Sequence, residues 1–477
     1  MPPWLPAPGY GEFQDERRLT EQEIRKIADW VRAGAPEGPA QDVPAPPVFS
    51  TGWQLGPPDL IIRAKHPFSL PATGPDIFWN FVLDPGLTVT RYVRAIEIRP
   101  GQNRLVHHAN VLIDRFGSLR NKSAGFSGMD FVLDRNPLDP ESHFLFWKPG
   151  AIPYSQPDGL AWRLNPGNLL ILNAHLQPSG KPEQVRPEIG LYFTDKRPTR
   201  FPILIQLEHD GALDIPPGDR NFVVSDRFRL PVDADVLAIY PHAHYLGKLI
   251  EAYATLPGGR RTWLIRIPNW DLNWQAVYHY RTPVFLPKGT LISMSIQYDN
   301  SSANPRNPNH PPKRVKAGNN ATDEMGHVWL QILPRGPGDR RRVVEEALMR
   351  HRLEKYPDDF SAHLNLGALL LSRLDAQDAV SMLETAARID PSRPEAHDML
   401  GAALQNLGRL RDAIQEYRLA LKADPQYWNA HYNLAKALAK SGDLEGAIEN
   451  FRQVLAAFPG NSRLQSEYAA LLAQARR

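Results

Sequence analysis

The sequence predicts a multidomain protein in which two antiparallel β-sandwich domains precede an all-α solenoid. Three observations predict it. Only five of the 46 prolines (357, 391, 394, 425 and 459) lie beyond residue 342. A helical C-terminal region therefore follows a stretch too rich in proline to be helical. From about residue 50 to 335, apolar runs such as "DIFWNFVL", "RYVRAIEIR", "NLLILNAHL" and "TLISMSIQYD" alternate with Pro, Gly, Asn and Asp, the pattern of short strands joined by turns. Beyond residue 342, several columns of the sequence recur with a period of 34.

The elements follow in order. Residues 1–38 hold one clear helix. Thr20 and Glu23 fit a capping box, and Leu19 and Ile24 stand where a hydrophobic staple would place them. Ile24, Ile27, Trp30 and Val31 form one apolar face, and Gly34 ends the helix. One short helix cannot make a core. Its face is expected to pack on another element or to be the end of a domain otherwise missing. "PAQDVPAPPVF", residues 39–49, has linker composition. The β-like region is large for one sandwich, and "TDKRPTRFP" is a natural seam, giving domains at 50–197 and 198–336.

Residues 343–477 carry the repeat. Pro357, Pro391, Pro425 and Pro459 are spaced by 34, as are Gly367, Gly401 and Ala435, then Ala379, Ala413 and Ala447, then Leu383, Tyr417 and Phe451. "LNLGALL", "DMLGAAL" and "YNLAKAL" mark the same helix in each copy. The segment resembles the tetratricopeptide repeat, with small residues where helices cross and proline after the second helix. Three repeats and a final helix at about 462–476 account for it. Such repeats are expected to bind a protein partner on their concave face.

Composition narrows the function. Net charge is +3 with interspersed signs, so no nucleic-acid surface is expected. No apolar run approaches the length of a transmembrane helix. The N-terminal "MPPWLPAPGYGEF" lacks the basic start and apolar stretch of a signal peptide. There is no cysteine, which excludes disulfides, thiolate metal sites, iron–sulfur clusters and CxxCH haem attachment.

Histidines carry the chemical signal. His107 and His108 stand together in "RLVHHANVLID", His175 follows in "LNAHLQPSGK", His242 and His244 lie in "YPHAHYLGK", and Met325 lies in "DEMGHVWLQIL". Each alone is weak, since chance gives roughly 0.5 HH pairs and roughly 0.5 HxH pairs at this histidine content. Geometry adds weight. In HxH both imidazoles share one strand face. In HH both can reach one ion only if the strand bulges there. His107, His108 and His175 would make an all-imidazole site, and His242, His244 and Met325 a site of two imidazoles and a thioether. Imidazole suits copper, zinc, iron and nickel, whereas thioether favours copper in its +1 state. A site of three histidines could hold zinc on its own. The lack of thiols fits copper cycling in oxygen.

At these residues the sequence resembles the copper type II, ascorbate-dependent monooxygenases, which include peptidylglycine α-hydroxylating monooxygenase and dopamine β-monooxygenase. The order HH, single His after an apolar strand, HxH followed by "LGK", then "DEM" runs through about residues 55–335. "IPNWDLNWQAVYHY", "LPKGT" and "YDNSSANPRNP" resemble bacterial members, often fused to a cytochrome c module before and tetratricopeptide repeats after. The resemblance implies two jelly-roll-like domains sharing a cleft, with two coppers per chain. His107, His108 and His175 would hold the electron-transferring ion, and His242, His244 and Met325 the oxygen-binding one. It implies hydroxylation of a substrate C–H bond with O2 and an electron donor such as ascorbate. A periplasmic or secreted location is the family expectation.

The sequence also departs from the family. The arginine that grips a peptide carboxylate in one branch is replaced by Tyr240, and the Asn and Tyr that follow the ligand Met there are His327 and Trp329. Tyr240, His327 and Trp329 are therefore candidate pocket residues for a small-molecule or peptide-like substrate. "ERRLTEQEIRKIADWVRAGAPEG" resembles the last helix of the fused cytochrome, with Met1 at the axial position, yet covalent haem is excluded in this chain. The alternative function is a non-catalytic copper-binding or scaffold protein acting through its repeats. A zinc hydrolase is a weaker reading, because no general-base Glu stands near either His motif in the HExxH manner.

Overall fold

The computed structural model describes residues 4–45, 52–115, 119–122, 125–128, 143–320 and 322–476. The chain forms two compact units, Met1–Arg341 and Arg342–Arg477.

The first unit is rich in antiparallel sheet. A five-stranded sheet has the order Phe126–Ser127, Ile77–Leu83, Leu169–Leu176, Val106–Asp114, Phe146–Trp147. A four-stranded sheet has the order Leu60–Arg63, Glu188–Thr194, Arg91–Arg99, Trp162–Leu164. Leu172, Ala174 and Leu176 of the one share a core with Val93, Ile98, Ile189 and Leu191 of the other. The run "LLILNAHL" is apolar almost throughout because it is a central strand, and every one of its residues is buried. Of its polar members, Asn173 donates to the Oδ1 of Asn80 at 2.7 Å, and His175 is described below.

Two more four-stranded sheets follow. One runs Ile203–Glu208, Gly326–Pro334, Ala234–Ala243, Tyr278–Leu286. The other runs Phe222–Arg229, Leu291–Tyr298, Gly247–Thr255, Arg261–Ile267. Each sheet draws its strands from one side only of Asp195–Pro202.

The N-terminal helix spans Glu21–Arg32 and has both halves of its capping box. None of its residues is buried, and Ile24, Trp30 and Val31 are exposed. The expected packing of this face is not found among the described residues. The chain before the helix is what packs. Phe13 is 1% exposed and bridges to Tyr280, the N–H of Gln14 donates to the carbonyl of His279, and the N–H of Arg281 donates to that of Glu12. Trp4–Gln14 thus straps onto strand Tyr278–Leu286. Gly11 makes this approach possible, because its φ is +120° and a Cβ there would meet the Leu264 carbonyl oxygen at 2.8 Å. Met1 and residues 46–49 of the expected linker lie outside the described residues.

The second unit is helical. Helices begin at Phe360, Pro394, Trp428 and Ser462, and each of the first three is followed by a partner: Ala376–Ile389, Leu410–Ala423 and Leu444–Ala457. Helix Arg341–Lys355 precedes them. The recurring columns meet each other. A Cβ on Gly367 would stand 2.5 Å from Leu383, and one on Gly401 would stand 2.6 Å from Tyr417. The small column exists because the large column, one helix later, fills the space beside it. A fifth column escaped the sequence reading. His363, His397 and His431 are all buried. His363 and His431 each hydrogen-bond the carbonyl of the preceding proline, Pro357 or Pro425, while His397 bonds Glu416.

Candidate metal centres

The strand Val106–Asp114 is irregular where the histidine pair lies. It pairs with Leu169–Leu176, and the register slips between Val106 and His108, leaving His107 as the extra residue. That bulge turns two adjacent side chains toward one place. His108 lies directly across from His175. One ring nitrogen from each of His107, His108 and His175 lies within 4.8 Å of the others. The Nδ1 atoms of His107 and His108 are 3.2 Å apart.

His175 shows which nitrogen would bind an ion. Its Nε2–H donates to Asp76 Oδ2 at 2.8 Å. Its Nδ1 is buried without a hydrogen-bond partner. A histidine held by a carboxylate on one nitrogen and bare on the other is the arrangement of a metal ligand. Burial biases all three rings toward the neutral form. Burial holds His108 well below its ordinary value, and the charges of His175 and His107 add to it. Burial lowers His107 and His175 too, with Asp76 opposing it at His175.

His242 and His244 come from the end of Ala234–Ala243 and the residue beyond it. Their rings lie 5.2 Å apart at 83°. The Nδ1–H of His242 donates to Gln275 Oε1 at 2.8 Å, and that of His244 donates to the Asp323 carbonyl at 2.9 Å. Among the described residues the Nε2 of neither ring has a hydrogen bond. Burial, ahead of the neighbouring histidines, pushes His242 down to about 3. The register ends where Ala243 pairs with Gly326, and His244 and Met325 are the next residues on the two chains and line the same cavity. The Glu324 carboxylate fixes this corner. It is fully buried and accepts from the N–H groups of His244, Leu246 and Met325 at 2.8, 2.6 and 3.0 Å. Burial pushes it up to about 8 against those bonds.

The two sets meet. All nine side chains singled out in the sequence line one cavity of about 500 Å³. Tyr240 donates to the same Gln275 oxygen as His242, at 2.9 Å. His327 pairs across the strands with His242 and bonds Asp210 at 2.7 Å, and Trp329 pairs with Tyr240. The residues that sequence reading missed are the supports: Asp76, Gln275, Asp210 and the Glu324 carboxylate. "DEM" held part of the signal, since Asp323 and Glu324 are two of its letters, while nothing local marks Asp76, Asp210 or Gln275.

Comparison with known proteins informs the helical unit. Residues 399–462 match the tetratricopeptide repeat family. Two solved structures of MamA resemble the chain, each at 22% identity. They cover 29% and 28% of this chain and 85% and 74% of their own, with TM-scores of 0.27 and 0.26. No curated protein matches the chain. No helix among the described residues is long and apolar enough to cross a membrane. The chain is thus sheet-rich in its first part and carries tetratricopeptide repeats in its second, and such repeats bind proteins.

Proposed function

We propose that the first unit is a copper-dependent monooxygenase that hydroxylates a C–H bond of its substrate with O2 and an external electron donor such as ascorbate. One observation carries this reading: two sets of side chains of the types that ligate metals and three further polar or aromatic groups line a single cavity. The donor atoms suit the ion. His175 Nδ1 is buried and unpartnered, and no thiol competes. Three imidazoles at one set and two imidazoles near a thioether at the other are ligands that copper accepts in both oxidation states. Copper, when bound, would supply one-electron redox chemistry and oxygen activation.

The chain's own residues hold the ligands and shape the space. Asp76 orients His175, while Gln275 orients His242 and ties Tyr240 to it. Glu324 gathers the backbone on which His244 and Met325 stand. Tyr240, His327 and Trp329 present one hydroxyl, one imidazole held by Asp210 and one indole to a substrate. No arginine stands at Tyr240, so a substrate with a free carboxylate is not selected there.

A second reading is favoured by the family match: a scaffold that works through its repeats, with the β region binding copper or nothing. The match supports the repeats and is silent on the β region. One experiment separates the readings. Copper content of the reconstituted full chain is measured together with ascorbate-dependent oxygen uptake. Two coppers per chain with uptake supports the monooxygenase. Zero or one copper, or two without uptake across a substrate panel, leaves the scaffold.

A further inference from the structure

Phe144, Leu145 and Phe146 are shared walls. They line the histidine cavity and also a second cavity of about 230 Å³. That volume exceeds the ~150 Å³ cavity that takes up benzene. The walls are aromatic, with Trp147, Tyr154, Trp162, Trp274 and Tyr278, and Trp4 of the N-terminal strap closes one side. His279 lies flat on Tyr154, with centroids 3.6 Å apart at 10°.

Several donors that line this cavity have no hydrogen-bond partner among the described residues. The indole N–H of Trp4 is buried and unpartnered. Among the described residues, Lys148 has no hydrogen bond or ion pair at its ammonium, and the Tyr154 hydroxyl and the His279 ring have no hydrogen bond. Burial, ahead of repulsion from Arg17, pushes Lys148 down to about 7, although Asp271 pulls the other way. The acids at the cavity do not compensate for it. Glu97 spends its carboxylate on the N–H groups of Gln54 and Leu55, and Asp15 is exposed. An aromatic box alone would suit a cation. A half-buried lysine with no acidic partner, beside donors that have no hydrogen bond among the described residues, reverses that preference.

We propose that this cavity binds a small planar organic anion, an aromatic or conjugated carboxylate. Its ring lies among the tryptophans and tyrosines, and its carboxylate pairs with Lys148 and takes hydrogen bonds from the donors around it. The site is independent of the metal centres, although it shares their wall.

The test is calorimetric titration of the metal-free full chain with sodium benzoate. Saturable binding at one site per chain is expected. Lys148→Met keeps the apolar stem and should weaken binding roughly 10–100-fold, the weight of a charge-assisted hydrogen bond. His279→Phe keeps the stack on Tyr154 and should weaken it less. His242→Ala should bind benzoate as the parent does. Benzyl alcohol on the unaltered protein reads the need for charge without any variant and should bind at least tenfold more weakly. Absence of saturable benzoate binding overturns the proposal. So does equal affinity for benzyl alcohol, full affinity in Lys148→Met, or loss of binding in His242→Ala, which would move the anion to the histidine cavity.

Discussion

Asp398→Asn is expected to stabilise the helical unit at neutral pH and to lose that effect in acid. Asp398 is 6% exposed and accepts one hydrogen bond, from Asn433 Nδ2 at 2.9 Å. Burial pushes its carboxyl up to about 6, with the Asn433 bond pulling the other way. In the unfolded chain it titrates near ~3.9. The folded state therefore keeps the proton to higher pH, so stability is highest in acid and falls as pH rises from about 4 to about 6. A shift of about two units corresponds to roughly 3 kcal/mol at ~1.4 kcal/mol per unit. At pH 7 that cost is complete. Asparagine keeps the acceptor for Asn433 and carries no charge, so the substitution should return roughly 1–3 kcal/mol. Hydrogen exchange of the full chain, read by mass spectrometry over Pro394–Asn406, measures it. Exchange at pH 7 should slow by roughly fivefold to a hundredfold, since ~1.4 kcal/mol is a factor of ten, and the two proteins should converge at pH 4. Equal or faster exchange in the variant at pH 7 would refute the argument that an uncompensated buried carboxylate sits there.

Four further outcomes bear on the sites and the repeats. Asp76→Asn should lower metal affinity at the His107, His108 and His175 set by roughly 10–100-fold while leaving the other set unchanged, as chelator competition would read. His107→Ala and His242→Ala should each lower copper from two ions per chain toward one; a variant that still holds two would free its histidine from the ligand set. In the metal-free chain His242 should stay neutral between pH 8 and 5, because its folded value is about 3. Its stabilising contribution is therefore full above the ordinary value near ~6.5 and declines as pH falls toward 3, and histidine NMR that shows it titrating near 6.5 would contradict its burial. Gly401→Ala should destabilise the repeats by roughly 1–2 kcal/mol in thermal unfolding. The ~1 kcal/mol gained in helix propensity is outweighed by overpacking, because the new Cβ meets the Tyr417 ring, which is 1% exposed.

The repeats were the most legible part of the chain, for a physical reason. Each repeat buries the same contacts, so the constraint that places Gly367 beside Leu383 also places Gly401 beside Tyr417, and periodicity reveals both. The N-terminal helix was legible as a helix, because its capping box is a local contact between Thr20 and Glu23. Its surroundings were not. The apolar face at Ile24, Trp30 and Val31 reads like a packing face, yet in the structure the irregular Trp4–Gln14 does the packing. An amphipathic period reports that a helix could bury one side, and it does not report whether a partner is present.

The site divides along the same line between local and distant causes. A strand that presents His107 and His108 to one ion has to bulge, and that requirement follows from the twofold alternation of strand side chains alone. The slipped register at Val106 and His108 meets it. What holds those rings in place cannot be inferred this way. Asp76 is 99 residues from His175, Gln275 is 33 from His242, and Asp323 is 79 from His244. Such partners are brought together by strand order: Ile77–Leu83 lies beside Leu169–Leu176, so a carboxylate just before the one strand reaches a ring near the end of the other. Ligand identity is a property of short motifs, while ligand tautomer is a property of topology. That is why a change at Asp76, invisible as a motif, is expected to weaken the proposed metal centre almost as a ligand change would.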